Sequence, residues 1–403
     1  MTEENPDLLI CGGGPAGMMA GLLFARAGVK TLVLEKHNDF LRDFRGDTVH
    51  PSTLELMDEL GLLDDFLKRP HDEISSLTAR VADEKIMIAD LSHLKVRCPF
   101  VAMMPQWDFL DFVADAAKLY PAFSLAMNAE AVELLHDGQR IAGVRLAGGR
   151  EIRPRLLTIA ADGRGSVLRA QSDLPLTDLG APIDVLWFRL PKGGSDYRET
   201  GGTFGAGTFI VQINRGDYWQ CAFVVPKGAA AELEARGIAA FRDDVARAVP
   251  DLADVTGTLA SWDQVKLLSV SLDRLDHWSK PGLLCIGDAA HAMSPVGGVG
   301  INLAVQDAVA AANILAERLA SGENVDGILD KVQDRRMLPV KLIQGGQKLV
   351  HDRILTPLVV RKAVLDSVPF PLKLFKAFPI LRRIPARIVG LGFRREHIRS
   401  PKA

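Results

Sequence analysis

Short apolar runs recur along this chain, and each ends at a glycine or an acid. Leu8-Leu9-Ile10-Cys11 runs into three glycines, Thr31-Leu32-Val33-Leu34 ends at Glu35, residues 156–161 end at Asp162, and residues 283–286 end at Gly287-Asp288. Unbroken apolar runs of this length mark strands buried on both faces, as in a parallel sheet. Helical periodicity follows the first run (Met18, Met19, Leu22, Leu23, Ala25) and the last (Leu303, Ala304, Val305, Ala308, Val309, Ala312). Strand followed by helix, repeated, predicts an α/β fold.

The middle of the chain has a different texture. Residues 76–98 alternate in short β-like runs, and 183–190, 207–214, 218–225 and 261–272 read as strands rich in Val, Ile, Phe and Trp, with one helix over 229–248. This predicts an inserted, mostly antiparallel sheet, with the glycine cluster 201–207 at a loop. Helices are also expected over 52–67 and 108–118, the second N-capped by Asp108. A hairpin is expected around Asp137-Gly138. The division that follows is 1–75, 101–180 and 273–345 for a nucleotide-binding domain, 76–100 and 181–272 for a substrate domain, and 346–403 for a helical tail.

Composition narrows the function. The chain has 403 residues, 48% hydrophobic and 24% charged, with a formal charge of −2. That is ordinary for a globular protein of two or three lobes and argues against nucleic acid as partner. No apolar run reaches the ~20 residues of a membrane span. The N-terminus is acidic and lacks an apolar targeting core, so a cytoplasmic protein is expected. Cys11, Cys98, Cys221 and Cys285 lie far apart and imply neither a disulfide framework nor a metal site, and Cys11 and Cys285 should be buried thiols.

The candidate chemistry sits at the strand ends. Gly12, Gly14 and Gly17 have GxGxxG spacing, follow a strand and open a helix, and Glu35 stands about 20 residues on, which is the dinucleotide fingerprint of a Rossmann-like domain. Glycines there let pyrophosphate approach the helix N-terminus. Arg45, before Gly46, suits a phosphate or a second cofactor, or equally a surface ion pair with Asp43 or Asp47. Asp162-Gly163 reads as a turn with Ser166 as N-cap. In the last loop the backbone is opened by Gly297, Gly298 and Gly300 ahead of a helix whose positive end suits an anionic or electron-accepting group. Gln106 faces a cofactor or caps its own helix. His291 is read as a structural hydrogen-bonder rather than a base.

Three loops together, GGGPAG with Glu35, the stretch from Asp162 to Arg169, and GDAAHAMSPVGGVGINLAVQDA, resemble the signatures of the class A flavoprotein monooxygenases, the para-hydroxybenzoate hydroxylase-like aromatic hydroxylases. The resemblance covers roughly residues 7–345. It implies an extended FAD, with Gly12, Gly14, Pro15, Ala16 and Gly17 at the pyrophosphate and Glu35 with Lys36 at the adenosine ribose. Arg45 and Gln106 fall near the flavin side, Asp162 near FAD and a passing nicotinamide, and Asp288 at the ribityl chain. Pro295 would wall the isoalloxazine, and Gly298, Val299, Gly300, Ile301 and Asn302 would face its pyrimidine end. Pro295, Gly298 and Arg45 are the residues expected closest to the chemistry.

The family reaction uses NADH or NADPH as a transient co-substrate and O2. It hydroxylates an electron-rich aromatic, polyketide-like or quinone-like molecule through a flavin C4a-hydroperoxide. Trp187, Arg189, Phe209, Val211, Gln212 and Trp219 are candidate pocket residues, although alternation lets only one face of each strand point inward. A flavin reductase of the prenyl reductase type and a non-catalytic flavin-binding protein stand as alternatives. A halogenase lacks its Trp-x-Trp-x-Ile-Pro stretch here. Monomer and homodimer are both open. The tail from Arg353 onward holds 12 Lys and Arg against Asp366 and Glu396, mixed with apolar segments. Either it docks on the acidic body and closes the pocket, or it touches anionic membrane.

Overall fold

In a computed structural model, residues 5–41, 48–81, 84–193, 200–205, 207–363 and 368–403 are described. The apolar runs form the central sheet, in the order Ser279–Lys280, Leu283–Cys285, Leu157–Ala160, Leu8–Cys11, Thr31–Leu34, Phe123–Ala126. All its pairings are parallel except that of the edge strand Ser279–Lys280. The helices Pro15–Arg26 and Gly300–Ala320 pack against each other and share one large core with the sheet. The Gly300–Ala320 helix, counted with the turn from Val296, is long and apolar enough to cross a membrane, contrary to the sequence reading. Asn302, Gln306 and Asp307 interrupt its apolar run, and it lies mostly buried inside the protein.

The second sheet has seven strands: Lys266–Leu268, Ile183–Pro191, Tyr218–Pro226, Thr208–Asn214, Gly201–Gly205, Ser76–Val81 and Glu84–Asp90. It is antiparallel save where Gly201–Gly205 runs beside Ser76–Val81. The glycine cluster expected to be a loop is thus a strand. Gly202 sits under the Phe209 ring, where a Cβ would stand 2.7 Å from that side chain. Glycines carry no side chain, so they show no alternation to read. Residues 261–272 supply only one three-residue strand, preceded by a 3-10 turn at Trp262–Gln264.

Two expected helices are each broken in two. Pro51–Glu59 and Leu63–Phe66 part near Gly61, and Ala230–Ala235 and Gly237–Ala248 part at Gly237, both glycines having positive φ. The helix Gln106–Lys118 begins after Pro105, with Asp108 in its first turn rather than at the N-cap. The hairpin Ala131–Asp137 with Arg140–Leu146 forms as expected. All four cysteines are free and buried.

The tail is helical. Asp330–Val350 continues into a π-helical stretch, His351–Val360, and the short helices Phe370–Ala377, Pro379–Arg382 and Arg383–Leu391 follow. Its end docks on the body through acids, as Arg395 pairs with Glu55, His397 with Glu59, and Arg335 with Glu396.

Candidate active site

The three strand-end loops meet. Gly12, at φ +114°, lies so close to the second loop that a Cβ would stand 2.2 Å from the Ala161 carbonyl oxygen. A Cβ on Gly17 would stand 1.9 Å from the Gly12 carbonyl oxygen. Gly287, at φ +60°, packs against Ala16 and Ala304, which brings the third loop onto the first. Arg164 Nε then donates to Asp288 Oδ2 at 3.0 Å and ties the second loop to the third.

Each loop is built for its shape. Glu35 is buried and accepts from the backbone N–H of Gly13 and of His37, both at 3.0 Å. Lys36 beside it is exposed. Ser166 is the N-cap expected of it, accepting from Arg169 N at 2.9 Å, and its hydroxyl also donates to Asp162 Oδ1. Burial raises the Asp162 carboxyl above its usual range, against the pull of the Ser166 hydroxyl and nearby backbone N–H groups. In the third loop Gly297 and Gly298 both have positive φ, and Thr48 Oγ1 donates to the Gly298 carbonyl at 2.8 Å. Asn302 Oδ1 accepts from His50 N at 3.1 Å and Thr53 Oγ1 at 2.7 Å.

These features fit an extended dinucleotide. The Pro15–Arg26 helix starts at Gly14 with no side-chain cap and no acid in its first turn, and the space above Gly14 is open. The Gly300–Ala320 helix likewise starts without a side-chain cap or an early acid, with open space at Gly300. Two uncapped positive helix ends at converging loops suit pyrophosphate and the anionic end of a reduced flavin. Asn302 Nδ2 is a buried donor with no partner among the described residues. Pro295, Gly298, Val299, Gly300, Ile301 and Asn302 all lie on this third loop or the helix turn that follows it. Arg45 lies outside the described residues. Gln106 occupies the first position of its helix, whose N-terminus no side chain caps, so its capping alternative is not realised.

His291 is buried, with Nε2 2.6 Å from Asp307 Oδ2, while Arg336 Nε donates to Asp307 Oδ1 at 3.0 Å. Burial opposes the charge on Asp307, but His291 and Arg336 outweigh it and hold the carboxyl below its usual range. Asp307 Oδ2 also accepts from Gly287 N at 3.1 Å, so this cluster braces the third loop from behind.

A second brace leaves no signal in the sequence. Gln344, Gln347 and His351 are buried along one side of the Asp330–Val350 helix and its extension. Gln344 Nε2 donates to the Asp273 and Ala292 carbonyls, and Gln347 accepts from Ser294 N and donates to the Ser294 and Val296 carbonyls. His351 Nε2 lies 2.8 Å from Ser294 Oγ. Polar residues at this spacing look like a solvent face, so only their position shows that they hold the Pro295 loop.

Strand parity divides the expected pocket residues. Trp187, Phe209 and Val211 share one face of the seven-stranded sheet, in an apolar cluster with Phe204, Val296 and the buried Leu355, Leu358 and Val359 of the π-helical stretch. The Phe204 and Phe209 rings stack at 4.1 Å. Gln212 and Trp219 are corrections. They stand on alternate strand positions, wholly buried on the opposite face, Trp219 in the cluster covered by the Gly237–Ala248 helix and Gln212 bonded to Thr203. Arg189 is exposed, its guanidinium over the Tyr218 ring at 5.1 Å.

A family model described as an FAD binding domain matches residues 5–344. The 6-methylpretetramide 4-monooxygenase of Streptomyces rimosus is 31% identical over 376 residues, covering 90% of this chain and 89% of that protein. The aklavinone 12-hydroxylase DnrF of Streptomyces peucetius is 25% identical, covering 92% and 78%. Among solved structures, PqsL, a probable FAD-dependent monooxygenase from Pseudomonas aeruginosa, superposes with a TM-score of 0.72 at 22% identity, covering 89% of this chain and 98% of that one. A convergent dinucleotide cradle, an apolar sheet face beside its third loop, and relatives that match nearly end to end have one meaning: the chain belongs to the FAD-dependent class A flavoprotein monooxygenases.

Proposed function

We propose that this monooxygenase takes its electrons from NADH or NADPH and inserts one oxygen atom of O2 into an electron-rich aromatic, polyketide-like substrate. Bound FAD would supply the redox chemistry, carrying electrons from nicotinamide to oxygen. Residues 1–75, 101–180 and 273–345 would form its lobe, and 76–100 with 181–272 the substrate lobe. The pyrophosphate would rest on the N–H groups after Gly14, with Glu35 at the ribose and Asp288 at the ribityl chain. Pro295 and Gly298 would set the wall against the ring system, and the Gly300 helix end would stabilise negative charge there.

One observation carries the substrate reading. Val296, next to Pro295, packs in the same apolar cluster as Trp187, Phe204, Phe209 and Val211, which supports a substrate chamber between the loop that would face the flavin and this sheet face. Stacked phenyl rings and a half-buried indole favour a planar, polycyclic ligand over a small polar one. The names of two relatives, a 6-methylpretetramide monooxygenase and an aklavinone hydroxylase, support the same class. The π-helical stretch would roof this chamber and exclude water from it.

The test is oxygen labelling. Purified holoenzyme, NADH or NADPH and a panel of polycyclic phenols are incubated under heavy-oxygen gas. The expected product carries one labelled oxygen per nicotinamide oxidised, and an unlabelled or merely reduced product would overturn the reading.

A further inference from the structure

We propose that the outer face of the short C-terminal helices is a docking surface for an anionic lipid bilayer. Phe370, Phe378, Ile380 and Ile384 are 71%, 56%, 64% and 60% exposed, an unusual concentration of large apolar side chains in one 15-residue stretch. They lie on or beside three successive helices that pack on one another and on the edge strand Glu84–Asp90. The inner side of this unit is fastened. Ala386 and Leu391 are buried with Leu94, Met103 and Ile213, Lys376 pairs with Glu84, and Arg382 Nε donates to the Phe375 carbonyl. The exposed side chains are therefore held out by a docked scaffold.

Charge selects the occupant. From Val368 to Gly392 the sequence carries five cations and no Asp or Glu, and Lys373, Arg383 and Arg387 are exposed beside the apolar residues. Apolar side chains rimmed by cations match an interface of acyl chains and anionic headgroups. A second copy of this chain fits poorly, since a two-fold contact would set these cations against the same cations, while Glu84 on the strand beneath is already paired with Lys376 and Asp90 already faces Arg383. The inner cluster beneath these helices also contains Trp187 and Val211 of the proposed chamber. On that reading, the surface would bring the chamber to the phase in which polycyclic apolar substrates concentrate.

The test is flotation of the full-length holoenzyme with vesicles of phosphatidylcholine alone or mixed with phosphatidylglycerol. It needs no substrate and no turnover, so its outcome is independent of the proposed reaction. Co-flotation is expected with the mixed vesicles only and should be lost near 1 M salt. The double variant Arg383→Gln/Arg387→Gln should lower the partition coefficient about fivefold per cation removed. Phe378→Ser/Ile380→Ser should abolish flotation while retaining FAD and an unchanged melting temperature. Absence of co-flotation, or equal binding to both compositions, overturns the proposal. So does a concentration-dependent doubling of mass that Phe378→Ser/Ile380→Ser removes, which would give the face to a second copy.

Discussion

Arg164 Nε stands 3.0 Å from Asp288 Oδ2, and through this pair the second loop of the cradle grips the third. Asp288 thus has a cation partner of its own and can offer its other oxygen to a ligand hydroxyl. Replacing it by Ala removes that acceptor and strands a half-buried guanidinium. We expect Asp288→Ala to weaken FAD binding about 10- to 100-fold, the scale of one or two hydrogen bonds to a charged group. Asp288→Asn, which keeps one acceptor, should lose less. Titration of apoprotein with FAD by flavin fluorescence measures both, and an unchanged Kd for the Ala variant would remove Asp288 from the site.

Gln347 gives a second expectation. Its carboxamide makes three hydrogen bonds to the backbone of residues 294–296, and a leucine makes none. Gln347→Leu should cost about 2 kcal/mol or more, because buried backbone groups are left unpaired. It should also speed FAD release, since the Pro295 loop loses its rear support. Thermal melting and the dissociation rate of FAD read these separately. Loss of stability without faster release would make the clamp purely structural.

The two faces of the seven-stranded sheet should behave differently. Trp187→Ala removes a half-buried aromatic from the proposed chamber and should raise KM for an aromatic substrate about 10- to 100-fold, with a smaller effect on stability. Trp219→Ala empties a wholly buried site on the other face and should cost about 3–5 kcal/mol, with KM little changed in protein that remains folded. Steady-state kinetics with denaturant melts would reverse the assignment if KM followed Trp219 instead.

Acid stability has an identifiable source. Burial pushes His50 down to about 4, with the Val389 and Gly298 carbonyls offsetting part of the effect, and burial lowers His351 as well. A histidine whose folded pKa lies below its unfolded value contributes fully above about pH 6.5, and that contribution is lost as pH falls toward 4. His50 alone should account for roughly 3 kcal/mol over this interval by linkage. Urea midpoints between pH 7 and pH 4.5 should fall steeply, and His50→Gln should flatten the slope. Asp307, held low by His291 and Arg336, acts in the same direction but in a lower window. Its contribution is complete above about pH 4 and disappears only as pH falls below that.

The parts legible in sequence were those with local causes. Short, largely apolar runs ending at glycine or an acid and followed by a helical pattern read as covered strands, so the central sheet and its three loops were readable from residues 8–17, 156–166 and 283–302. Which face of the inserted sheet looks inward was not, because register depends on pairing between distant strands. A slip of one residue exchanges Trp187 for Phe188. The Gly201–Gly205 strand was hidden because three of its five residues are glycine and show no alternation. Gln344, Gln347 and His351 were hidden because a polar residue that bonds a distant backbone looks, in sequence, like one that bonds water.

The order of strands in the central sheet also bears on how the protein is made. Leu8–Cys11 lies between Thr31–Leu34 and Leu157–Ala160, and the last parallel partner, Leu283–Cys285, adds beyond the latter. The first loop leaves the ribosome early, yet the surface that would face the flavin ring waits for residue 302. Its braces at Arg336 and Gln347 come later still. At a synthesis rate of about 5–20 residues per second, the nascent chain carries half a cradle for roughly 15–60 seconds. Cofactor loading is thereby deferred to nearly the end of translation, and a chain truncated before the Asp330–Val350 helix should emerge colourless.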